Sequence, residues 1–76
     1  MTSKRNIHVT PRPDGRWNVI REGADRASSV HDTQAKAEGR GRPIARDDQV
    51  EFLLHGRDGR IRERDSYGND PYPPKG

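Results

Sequence analysis

A chain of 76 residues, 26% hydrophobic and 36% charged, holds one domain at most and can build only a thin core, so its stability is marginal. With no cysteine there is neither a disulfide framework nor a thiolate zinc site. No apolar run is long enough for a signal peptide or a membrane-spanning helix, so a soluble, cytoplasmic protein is the expectation. The formal net charge of +3 is too small for self-repulsion to unfold the chain, and it permits contact with nucleic acid without requiring it.

Residues 1–5 read as a loose N-terminus, residues 6–66 as one domain and residues 67–76 as an extended tail. Asn6 to Arg12 has the alternation of a strand, with Ile7 and Val9 on one face and His8 and Thr10 on the other. Pro11 and Pro13 end it, and Pro13-Asp14-Gly15 is a turn. Arg16 to Arg21 returns as a second strand carrying Trp17 and Val19 on one face. Ala27 to Val30 is a short third strand or the lead-in to a helix. Asp32 or Thr33 can cap that helix, which is expected to run to about Arg40. Gly39, Gly41 and Pro43 then break or kink it, because each glycine costs about 1 kcal/mol and an interior proline about 3 kcal/mol relative to alanine. Val50 to His55 is the strongest strand. Asp58-Gly59 signals a hairpin turn, and Arg60 to Arg64 the returning strand. From Tyr67 the chain is rich in proline, as a polyproline-like tail would be.

The order β-β-(β)-α-β-β predicts an α+β domain: an antiparallel sheet of three to five strands with one helix packed on a face. The expected core is Ile7, Val9, Trp17, Val19, Val30, Ala35, Val50, Phe52, Leu54 and Ile61. Ile20 and Leu53 point to the opposite face, which suggests a second covered surface, as in a homodimer.

Particular blocks carry a resemblance: His8-Val9, Pro11, Gly15, Trp17 and Val19; then Gly23, Arg26-Ala27-Ser28 and His31-Asp32-Thr33-Gln34; then His55-Gly56-Arg57-Asp58-Gly59-Arg60-Ile61, continuing to Arg64-Asp65-Ser66-Tyr67-Gly68-Asn69-Asp70-Pro71 and Pro74. Over these the chain resembles a family of small bacterial proteins catalogued as a domain of unknown function. The resemblance implies a fold and a bacterial origin, with no reaction attached. It departs in the helix, where Lys36 stands in place of the glutamate that would complete a capping box with Thr33.

The basic residues are mostly arginine, whose rigid fork suits phosphate or carboxylate. Arg60, Arg62 and Arg64 alternate on one strand and would share a face, with Arg57, Arg40 and Arg42 nearby in sequence. These six are candidates for phosphate contact with nucleic acid. Against this, Asp58, Glu63 and Asp65 are interleaved among them and favour a solvated, ion-paired face. His8, His31 and His55 lack the close spacing of a helical metal motif, so no metal or cofactor is expected. Ser28, Ser29 and Ser66 have no nucleophile elbow around them, and so small a core leaves little room for a substrate pocket. A non-enzymatic protein-interaction module is the first expectation, acting on itself or on an unknown protein through Ile20, Leu53, Tyr67 and Tyr72. A nucleic-acid binder is the alternative.

Overall fold

The computed structural model describes residues 5–67. Five strands and one helix follow in the order β1 (Ile7–Pro11), β2 (Trp17–Arg21), β3 (Ser29–His31), α1 (Gln34–Asp48), β4 (Glu51–His55) and β5 (Ile61–Ser66). This is the expected α+β domain, with the sheet ordered β3-β2-β1-β4-β5. The sheet is mixed and not wholly antiparallel: β1 and β4 pair parallel through Ile7↔Phe52, His8↔Leu53 and Val9↔Leu54. The remaining seams are antiparallel. Apolar alternation is the same beside a parallel or an antiparallel neighbour, so the sequence carries no sign of strand direction. The direction comes from α1. The helix starts at one end of the sheet, where the Gln34 side chain donates to the His55 carbonyl (3.2 Å). It finishes at the other end, where Arg21 meets Asp48 at 2.6 Å, so β4 begins beside the start of β1.

The helix is one unbroken element of 15 residues, passing through Gly39, Gly41 and Pro43. The expected stop near Arg40 does not occur, because the face turned to the sheet consists of Ala37, Gly41 and Ala45. A stripe of small residues at four-residue spacing lets the helix axis come close to the sheet, and burial offsets poor propensity. Thr33 caps the start, its hydroxyl accepting from the Lys36 N–H. At the other end Gln49 adopts a left-handed φ of 58°. There the Gln49 N–H donates to the Arg46 carbonyl and the Val50 N–H to the Ala45 carbonyl, a Schellman closure.

Ile7, Val9, Trp17, Val19, Phe52 and Leu54 fill the layer between sheet and helix with Ala37 and Ala45, while Ile44, Val50 and Tyr67 pack at its margin. Three residues assigned to the core from sequence lie outside it. Ala35 is exposed on the helix, and Val30 and Ile61 are 40% and 51% exposed on the two edge strands. Val30 pairs with Asn18 and Ile61 with His55, which puts both on the face turned away from the helix.

Candidate functional site

The strand registers set out that second face in two rows. Ile20, His8, Leu53 and Arg64 lie side by side across β2, β1, β4 and β5. Next to them run Val30, Asn18, Thr10, His55 and Ile61. No element covers either row among the described residues. Leu53 is nevertheless only 6% exposed and lies apart from the helix-side core cluster. Its own neighbours on the face enclose it. Ile20 is half-buried, and the apolar side chains that remain open are Val30 and Ile61 at the two edges.

Hydrogen bonds knit the middle of the face. The Asn18 amide donates to Thr10 (3.3 Å) and accepts from Arg12 (3.0 Å). His8 Nδ1 lies 2.8 Å from His55 Nε2, with the rings tilted by 32°. The outer nitrogens of this pair are engaged as well. His8 Nε2 is 3.0 Å from the Glu22 carboxylate, and His55 Nδ1 is 3.4 Å from the Gly59 carbonyl. The hydrogen bond from His8, followed by that from Asn6, holds the Glu22 carboxyl below its ordinary value of 4.5. Sequence reading placed both histidines on the polar side of their strands. Their meeting depends on β1 lying beside β4, which no local pattern reveals.

The six candidate arginines do not form one array. In β5 Glu63 pairs with Leu54 and Ile61 with His55, which leaves Arg62 as the extra residue of a bulge. The alternation expected for Arg60, Arg62 and Arg64 is therefore interrupted. Arg62 turns toward Gly56 and lines a depression of about 320 Å³ with Trp17, Gln34 and Arg57 at the start of α1. Arg64 reaches Glu51 at 3.3 Å on the open face. Arg42 lies on the helix side, where it binds Glu38 (2.8 Å), Glu63 (2.6 Å), Asp65 and the Tyr67 hydroxyl. Its guanidinium also stacks 4.5 Å from the centre of the Phe52 ring. Asp65 first, then Glu38 and Tyr67, push the guanidinium still further above its already high range. Arg57 stacks on Trp17 at 4.9 Å, and Arg60 is loosely placed 4.0 Å from Asp58. Arg40 is exposed on the helix.

Tyr67 folds back onto the domain, its N–H donating to the Val50 carbonyl at 3.3 Å. Tyr72 lies outside the described residues. Among the described residues no three His, Asp or Glu side chains converge to hold a metal ion, and no helix is long and apolar enough to cross a membrane.

A search of curated proteins and a search of solved structures each found no match. A family model described as an uncharacterized protein conserved in bacteria (DUF2188) matches residues 7–67. That span takes in all five strands, the helix and the contact of Tyr67 with Arg42, and the chain belongs to this family.

Proposed function

We propose that this domain is a non-catalytic protein-interaction module, that its working surface is the sheet face turned away from the helix, and that a second copy of the chain occupies it. One observation carries the reading: among the described residues both exposed large apolar side chains, Val30 and Ile61, lie on that face, flanking half-buried Ile20. What supports the reading is that they share one uncovered face with Ile20 and Leu53 between them, so that a partner laid on the face would cover all four. The face also carries both signs of charge, Arg64 beside Glu51 on one side and the Glu22 carboxylate on the other. A surface of mixed sign can meet its own copy about a two-fold axis without like charges facing throughout, as an isologous dimer requires.

Size sets the strength. Five strands at about 4.8 Å spacing and about 17 Å of strand length give a face of roughly 400 Å². A stable interface uses about 800 Å² per partner. The self-association is therefore weak and depends on concentration. The outer edge of β5 is a poor route to pairing, since its side chains alternate between charges and a bulge twists it. Sedimentation velocity over a hundred-fold concentration range tests the proposal. The wild-type chain is expected to shift toward dimer at the top of the range, while Val30→Glu and Ile61→Glu stay monomeric and folded. A wild-type chain that is monomeric throughout, or variants that associate equally well, would refute it.

A second reading rests on a different place. Arg57, Arg60 and Arg62 stand at and beside the β4–β5 turn, with Asp58 4.0 Å from Arg60 and Asp32 in the depression that Arg57 and Arg62 line. Such a turn can meet nucleic-acid phosphates, and binding would weaken steeply with salt. A gel shift at low salt that is lost in the triple alanine variant would favour it over self-association.

A further inference from the structure

Three contacts of the His8–His55 pair bear on where its hydrogens lie. A carboxylate and a carbonyl only accept hydrogen bonds. Glu22, at 3.0 Å, therefore draws a hydrogen onto His8 Nε2, while the Gly59 carbonyl lies at a long 3.4 Å from His55 Nδ1. His8 Nδ1 is then a lone pair, and it faces His55 Nε2 at 2.8 Å, the distance of a hydrogen bond donated by the His55 Nε2–H. A cation that takes the place of this hydrogen finds two imidazole nitrogens side by side, with His55 moving its hydrogen to Nδ1 beside the Gly59 carbonyl.

We propose that His8 Nδ1 and His55 Nε2 form a two-histidine site for a divalent transition metal of the imidazole-preferring class: zinc, copper or nickel. Water completes the coordination. The outer contacts are those that ligating histidines make, one imidazole held by a carboxylate and the other by a backbone carbonyl. Glu22 fixes the tautomer that leaves His8 Nδ1 free to bind, and the Gly59 carbonyl stands where it can accept from His55 Nδ1 once Nε2 ligates. The inner spacing is close to the one required. A tetrahedral ion about 2.0 Å from each nitrogen holds them roughly 3.3 Å apart, so the pair needs to open by about half an ångström. Both histidines stand on central strands whose backbones are locked by the parallel seam, and rigid strands hold ligand geometry better than loops do. The other charges of the face leave the gap clear: Arg64 is engaged by Glu51, and Arg12 by Asp14 and Asn18. The site lies within one chain, so it stands or falls independently of any pairing between copies.

Nickel titrated into the uniformly ¹⁵N-labelled wild-type chain tests the site without any mutation. Paramagnetic broadening is expected first at His8, His55 and their strand neighbours, with His31 unaffected. Calorimetric titration with zinc is expected to show saturable one-to-one binding. That binding weakens at least ten-fold in His8→Gln and in His55→Gln, weakens several-fold in Glu22→Gln and is unchanged in His31→Gln. The proposal is overturned by broadening centred on His31 or scattered over the carboxylates, by the lack of a saturable site, or by full zinc affinity in both His8→Gln and His55→Gln.

Discussion

At the scale of single residues, Thr33 does half of what a helix start allows. Its hydroxyl satisfies the Lys36 N–H at 3.1 Å, yet the first turn of α1 has no acidic residue. A lysine there sits against the positive end of the helix dipole. Lys36→Glu reverses that term and supplies the returning side chain of a capping box. It is expected to stabilise the domain by about 0.5–1 kcal/mol, read as a higher urea midpoint with an unchanged denaturant slope. The cap was legible in the sequence because it is local. The fate of Arg42 was not. An arginine between a glycine and a proline looks solvated in sequence, and the acids that enclose it, Glu63 and Asp65, arrive from a strand more than twenty residues away. The same holds for His8 and His55, 47 residues apart. Their residue types were visible, but their contact was not.

At the scale of the element, the two exposed-looking glycines of α1 have opposite roles. A Cβ on Gly39 would meet nothing within 4 Å, whereas one on Gly41 would meet Phe52 at 3.0 Å, Ile7 at 3.4 Å and Val9 at 3.5 Å. Gly39→Ala is therefore expected to stabilise the fold by up to about 1 kcal/mol, the helix-propensity difference alone. Gly41→Ala gains the same propensity but forces helix and sheet apart, and overpacking of this kind costs about 1–3 kcal/mol. The net effect is destabilising. Equilibrium denaturation of both variants checks the opposite signs; equal stabilisation would mean that the helix does not pack on Phe52 as described. Propensity reads both glycines as interruptions. The sequence does place Ala37, Gly41 and Ala45 four residues apart, and that spacing is the signal of a close-packed small face. Nothing in the sequence alone distinguishes it from a weak helix, because the difference lies in whether a flat apolar surface waits opposite.

Across the whole molecule, the two hairpins are legible in the turn residues, while the seam that joins them is not. That seam consists of three Cα pairs between β1 and β4 on the backbone, plus the chain Glu22–His8–His55–Gly59 over the open face. Its dependence on pH follows from Glu22. The folded state holds this carboxyl below its ordinary value of 4.5, chiefly through the hydrogen bond from His8. A carboxyl with a depressed folded value binds protons less readily than in the unfolded chain. Its contribution to stability is therefore complete above 4.5 and is lost as pH falls through the lower folded value. Asp14 adds in the same direction, held below 3.8 by the Arg16 N–H and the Arg12 side chain at the β1–β2 turn. Glu22→Gln keeps the shape and an acceptor oxygen but removes the titrating group. Between pH 6 and pH 3 the wild-type chain is expected to lose more stability than Glu22→Gln, so the two midpoints converge on acidification. Both carboxylates face solvent, so the difference is small and shrinks at high salt. A Glu22→Gln variant whose midpoint fell as steeply as the wild type's would show that the acid sensitivity belongs to other carboxylates, and that the Glu22–His8 contact adds nothing to it.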